Sequence, residues 1–153
     1  MEPSYVLIVD DDPDAREVLT DIVESLGLEA RVAEDGSTAL KAVNQTLPTL
    51  ILLDLMMPRM DGFTMLSRLR STPRTRAIPV IVVTACGNDG RRTLMLPGVI
   101  DVVPKGSFTV QSMTQIISRT LMITDTASSG KKAFMAEKED KPQPQGGSPT
   151  TLW

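Results

Sequence analysis

The chain of 153 residues contains no histidine and only one cysteine, Cys86. Without histidine there is no Ser–His or Cys–His nucleophile pair and no imidazole metal ligand. A kinase that phosphorylates its own histidine is excluded for the same reason. One cysteine rules out an intramolecular disulfide framework. No apolar run approaches the ~20 residues that a membrane span requires. The opening Met1-Glu2-Pro3-Ser4 lacks the positive segment and apolar core of a secretory signal. These absences together lead us to expect a cytoplasmic protein with no membrane partner. An excess of basic charge is also missing: 16 Lys and Arg stand against 19 Asp and Glu, for a net charge of −3. There is thus no electrostatic case for direct nucleic-acid binding. The 41% hydrophobic content is enough for one soluble domain with a real core.

What is present is organised around Leu50-Ile51-Leu52-Leu53-Asp54-Leu55-Met56-Met57-Pro58. Four apolar residues run into one carboxylate, and turn residues follow. So short an apolar run, flanked by turns, predicts a strand buried on both faces. Asp54 is then the first polar group beyond the strand's carboxyl end, the edge where open α/β sheets bind ligands.

The rest of the chain repeats this grammar. Residues 5–9 form a second buried-strand run, ending in Asp10-Asp11-Asp12. Asp12 and Pro13 predict the N-cap and first position of a helix. Ala15, Val18, Leu19, Ile22, Val23 and Leu26 mark its apolar face, and Gly27 its end. Residues 28–33 read as a strand, and a helix starting at Asp35-Gly36 follows, with Ala39, Leu40 and Val43 inward. Phe63, Leu66 and Leu69 mark a third helix. Residues 78–83 and 99–103 read as strands ending near Thr84 and Lys105, and Val110, Met113, Ile116, Ile117 and Leu121 mark a last helix. A fourth helix belongs in residues 88–96, shortened by Gly90 and Pro97-Gly98. Alternating strands and helices imply right-handed βαβ crossovers. The expected fold is α/β: a flavodoxin-like doubly wound five-stranded parallel sheet with helices on both faces, in a domain spanning 1–123. Residues 124–153, rich in Ser, Lys, Glu, Gln, Pro and Gly, read as a flexible C-terminal tail or linker.

Because all strands run parallel, Asp10, Asp11, Asp54, Thr84 and Lys105 converge on one sheet edge. Carboxylates held that close raise each other's pKa unless a cation joins them. Few, hard oxygen ligands with room for water suit Mg²⁺. A carboxylate oxygen is also a competent nucleophile toward phosphorus.

The stretches Val6-Leu-Ile-Val-Asp-Asp-Asp-Pro13, Leu52-Leu-Asp-Leu-Met-Met-Pro-Arg-Met-Asp-Gly62, Val82-Val-Thr-Ala85 and Val103-Pro-Lys105 resemble the receiver domain of two-component response regulators. The resemblance covers roughly residues 5–122. It implies that Asp54 is the phosphoacceptor and that Asp10, Asp11, Asp54 and the backbone carbonyl of Met56 organise Mg²⁺. It implies that Thr84 donates to a phosphoryl oxygen and that Lys105 pairs with the same group. The implied partners are a sensor histidine kinase or phosphotransfer protein as donor, and an output protein or a missing effector domain. Homodimerisation is left open. Such a protein is a signalling phosphoacceptor that catalyses only its own phosphorylation and dephosphorylation.

Two other classes compete. A haloacid-dehalogenase-type phosphatase would use Asp10 as nucleophile, but leaves Asp54 unexplained and lacks a late acidic pair after Lys105. A pseudo-receiver would bind partners without phosphorylation; the complete acidic set argues against it. A calcium loop on Asp10, Asp12 and Asp14 fails at Ala15, where glycine is required, and at Pro13, which starts a helix. Three features depart from the receiver pattern: Val102 replaces a usual aromatic, Gly106 replaces the proline of a cis peptide, and the fourth helix is short. They lie on the face such domains use for output, so a muted or displaced switch is expected.

Overall fold

A computed structural model describes residues 4–85 and 90–129. Cys86, Trp153 and the expected tail beyond Ser129 lie outside the described residues. In chain order the elements are β1 (Tyr5–Val9), α1 (Pro13–Ser25), β2 (Glu29–Ala33), α2 (Gly36–Gln45), β3 (Leu50–Leu53), α3 (Gly62–Arg70), β4 (Val80–Thr84), α4 (Gly90–Leu94), β5 (Val99–Pro104) and α5 (Val110–Ser129). The five strands form one sheet in the order β2-β1-β3-β4-β5, every pair parallel. One compact unit covers Met1–Leu121; a second begins at Met122. No helix among the described residues is long and apolar enough to cross a membrane.

Every residue of β1, β3 and β4 is buried, as central strands covered on both faces must be. Their alternation builds two cores. Tyr5, Leu7, Val9, Ile51, Leu53, Val80 and Val82 face Ala39 and Val43 of α2 and Met65, Leu66 and Leu69 of α3. Val6, Ile8, Leu50, Leu52, Ile81 and Val83 face Leu19, Ile22 and Val23 of α1 and Met113 and Ile117 of α5. Aspartates start three helices. Asp12 accepts from the Asp14 amide (3.0 Å), Asp35 from Thr38 (2.8 Å) and Asp61 from Thr64 (2.8 Å). Gly27 closes α1 at φ +80°, a conformation glycine adopts without steric cost.

Several sequence expectations shift. Val18, Phe63 and Val110 are 44%, 47% and 60% exposed, so each lies at the rim of its helix's apolar face. In α3 Leu66 and Leu69 are buried as expected, joined by Gly62 and Met65 in place of Phe63. β4 starts at Val80 rather than 78, because Pro79 has no N–H for a ladder and the Ile78 amide turns back to the Thr75 carbonyl (3.1 Å). The last helix runs to Ser129, past the composition change near Thr124. α4 is short, as Gly90 and Pro97 foretold. Among the described residues no peptide bond is cis, consistent with Gly106 after Lys105.

Candidate functional site

The register decides which polar groups meet. Val9 pairs with Leu53, so Asp10 and Asp54 leave neighbouring strands at one level. The Asp54 amide donates to the Val9 carbonyl (2.9 Å), and the Asp10 amide to the Ala33 carbonyl (3.1 Å). Both carboxylates are thus fixed from behind by sheet hydrogen bonds, and they are only 1% and 3% exposed. Thr84 closes β4, is 1% exposed, and accepts the Lys105 amide on its carbonyl (2.9 Å). That bond delivers the lysine to the same edge.

Lys105 Nζ lies between the two buried carboxylates. It donates to Asp10 Oδ1 (3.1 Å) and Asp54 Oδ2 (3.2 Å), and sits 2.9 Å from Asp10 Oδ2. Asp10 Oδ1 also accepts the Asp12 amide (2.9 Å), and Asp54 Oδ1 the Met56 amide (3.2 Å). Asp10 Oδ2 is buried and, despite the nearby ammonium, has no aligned hydrogen-bond donor. Burial pushes the Asp10 carboxyl above its usual range, against the pull of the Asp12 amide and Lys105. For Lys105 burial opposes the charge, but the hydrogen bonds to Asp10 and Asp54 outweigh it and the ammonium is held above its usual range. The ammonium is therefore the cation that makes this cluster tolerable on its own.

Asp11 is exposed, and one oxygen each of Asp10, Asp11 and Asp54 lie within 4.8 Å of one another. One carboxylate oxygen from each of three aspartates, with the buried Asp10 Oδ2 short of a donor, fits a small hard cation. The expected residues Asp10, Asp11, Asp54, Thr84 and Lys105 are all at this edge. Met56 is there through its amide; its side chain is 59% exposed. Val102 is half-buried against the α2–α3 core.

Sequence reasoning missed the supports. Arg16 reaches back from α1 to the Asp10 carbonyl (2.8 Å) and fixes the β1–α1 loop. Arg59, at φ +65°, ion-pairs with Asp35 (3.0 Å). The amide of Thr38 holds the Asp35 carboxyl below its usual range against burial, with help from Arg59. Gly62 packs so tightly that a Cβ there would lie 2.7 Å from the Asp54 carbonyl oxygen and Leu55 Cα. Only the Asp-Gly dipeptide at 61–62 hinted at this last contact.

The family described as the response regulator receiver domain matches residues 6–118. The chain is 36% identical over 115 residues to the gliding motility regulatory protein of Myxococcus xanthus, covering 74% of this chain and 15% of that protein. It is 42% identical over 87 residues to the response regulator PleD of Caulobacter vibrioides, covering 57% of this chain and 19% of that protein. The chain thus spans a small part of these two relatives. Among solved structures, the receiver domain of NtrX from Brucella abortus matches with a TM-score of 0.69 at 28% identity, covering 76% of this chain and 98% of that one. The response regulator TrrA from Thermotoga maritima, solved with Mg²⁺–BeF, matches with a TM-score of 0.67 at 27% identity over the same shares. Fold, acidic edge and family match agree: the chain belongs to the response regulator receiver domain family of two-component signalling.

Proposed function

We propose that Asp54 accepts a phosphoryl group from a partner's phosphohistidine and that the resulting acyl phosphate carries the signal. The observation that supports this most is the Asp54 carboxylate itself. It is buried at a strand end, bonded to Lys105, and adjoins Asp10 and Asp11. An Asp54 oxygen attacks phosphorus, an O–P bond forms, and the P–N bond to the donor imidazole breaks. The imidazole leaves with the electron pair and takes up a proton. None of the 153 residues is a histidine, so the donor imidazole lies outside this domain, on a sensor kinase or phosphotransfer protein.

Asp10, Asp11, Asp54 and the Met56 carbonyl are the groups that would hold Mg²⁺, which when bound offsets charge on the phosphoryl oxygens. Lys105 keeps its ammonium within reach of Asp54 and can pass from carboxylate to phosphoryl oxygen. Thr84, fixed by the β4–β5 pairing, supplies a hydroxyl at the same edge. The protein is on this reading a cytoplasmic signalling component rather than a classical enzyme, with output through another protein or a further domain. TrrA was solved in complex with Mg²⁺–BeF; by analogy, Mg²⁺ and a phosphoryl group would be held at this acidic edge.

Incubation with acetyl phosphate and Mg²⁺, followed by intact-mass measurement, tests the proposal. One added phosphoryl group is expected, absent without Mg²⁺ and absent in Asp54→Asn. Equal labelling of the wild type and Asp54→Asn would return the phosphatase alternative at Asp10.

A further inference from the structure

Arg70 is the last residue of α3, far from the acidic edge, and belongs to no ion pair among the described residues. Its guanidinium is nonetheless sequestered. Nε donates to the Pro97 carbonyl (2.7 Å), and Nη1 to the carbonyls of Arg76 (2.8 Å) and Thr75 (3.4 Å). Nη2 is buried without a hydrogen-bond partner. Burial lowers the Arg70 pKa from its usual value. The opposite wall is Gly98, at φ +82°, where a Cβ would lie 2.0 Å from Nη2 and 2.2 Å from Cζ. Glycine is required there both by the backbone angle and by the arginine.

The two loops so joined differ in character. The α3–β4 loop is braced: Thr75 Oγ1 bonds the Leu69 carbonyl (2.6 Å), and the Thr75 and Arg76 amides bond Thr72 (3.0 Å each). The α4–β5 turn stands between a five-residue helix and an edge strand. That strand slips register between Val99 and Asp101, so Ile100 is a bulge. Leu94, Met95 and Ile100 beside it are exposed. Arg70 therefore ties the α4–β5 turn, whose Gly98 carbonyl also accepts the Val80 amide (3.0 Å), to the braced α3–β4 loop. The fastening is opposed by desolvation, because a buried guanidinium facing carbonyls and no carboxylate regains its hydration when the turn lifts.

We propose that Arg70 is a conformational latch on the Pro97–Gly98 turn, and that it sets how far the α4–β5 edge follows chemistry at Asp54. With Val102 where a swinging aromatic would otherwise couple the two, the latch is the two-state element available to this edge. The regulatory step rests on the phosphoacceptor reading; the latch itself does not.

Two measurements separate them. The first is native-state amide exchange of the full chain with no ligand. In Arg70→Ala the Leu96 and Val99 amides, which bond the Thr93 carbonyl of α4 and the Leu96 carbonyl and so bracket the turn, should exchange on the order of tenfold faster. The Ile51 and Asp54 amides should not change. Arg70→Lys should behave as the alanine variant, because an ammonium lacks the fork that spans both loops. It also serves if alanine compromises folding. Uniform acceleration at all four amides, or none, would overturn the latch.

The second is amide-shift mapping with Mg²⁺ and beryllofluoride. In the wild type the shifts should centre on Asp54, Thr84 and Lys105; in Arg70→Lys they should extend through residues 92–101. The same extent in both proteins would overturn the regulatory role. Absence of shifts at Asp54 in either protein would refute the phosphoacceptor reading, and with it the regulatory step, while leaving the exchange result to judge the latch.

Discussion

Replacing Lys105 by methionine removes the cation that lies between two buried carboxylates while keeping the length and apolar stem of the side chain. Asp10 and Asp54 are then left at 1% and 3% exposure without a countercharge. Breaking a buried pair typically costs about 3–5 kcal/mol. Lys105 is 23% exposed, which places its loss near the lower end, about 3 kcal/mol. For the unit Met1–Leu121 that corresponds to a fall of about 12 °C in Tm. The loss should shrink at acid pH, where protonation of Asp10, already displaced upward by burial, removes one of the stranded charges. Mg²⁺ should repair the variant better than it stabilises the wild type. In the wild type the metal meets carboxylates already paired with an ammonium; in the variant it does not. A ligand at a hundredfold its Kd adds about 2.7 kcal/mol, and the increment should be larger in Lys105→Met. Urea denaturation of both proteins at pH 7, with and without Mg²⁺, reads all of this. Metal-free stability within about 0.5 kcal/mol of wild type, or a smaller Mg²⁺ increment in the variant, would refute the electrostatic account of the site.

Asp11 is exposed, so Asp11→Ala should leave metal-free stability within about 0.5 kcal/mol but abolish most of the stabilisation by Mg²⁺; an unchanged Mg²⁺ increment would remove Asp11 from the ligand set. Gly62→Ala puts a methyl group 2.7 Å from the backbone of Asp54 and Leu55. It should cost about 1–3 kcal/mol by overpacking and slow labelling of Asp54; a Tm equal to wild type would show that the loop yields freely. Asp35 titrates below its usual range when folded. Its contribution is present above the unfolded carboxylate pKa, about 3.9, and is lost as pH falls through the lower folded value. Asp35→Asn, which can still cap α2, should flatten that acid limb of the stability profile, and an unaltered limb would contradict the assignment.

The strands and the acidic edge were legible because central parallel strands bury both faces. Tyr5–Val9, Leu50–Leu53 and the Val80–Val83 part of β4 therefore read as unbroken apolar runs. The first polar residue after each must lie at the carboxyl edge. Helix periodicity located α1, α3 and α5 but not the width of their buried stripes, which is why Val18, Phe63 and Val110 were expected inward. The sequence also placed Lys105 at the carboxylates' edge, but as a partner for a phosphoryl group, without revealing that its ammonium pairs directly with Asp10 and Asp54. Its partners are 95 and 51 residues away; parallel strands bring them to one edge, but which atoms then meet is set by side-chain geometry that no sequence pattern encodes. Arg59 and Arg70 were illegible for a related reason. A charged residue on a helix end or loop reads as solvated surface, whereas their acceptors, Asp35 and Pro97, are brought to them by the fold.

The measurement that bears most directly on the account is the position of the acyl phosphate. Borohydride reduces an aspartyl phosphate to homoserine, so the protein can be treated with acetyl phosphate and Mg²⁺, reduced, digested and mapped by mass. Homoserine at position 54, dependent on Mg²⁺, is the expected result. Homoserine at position 10, or at neither position, would contradict it.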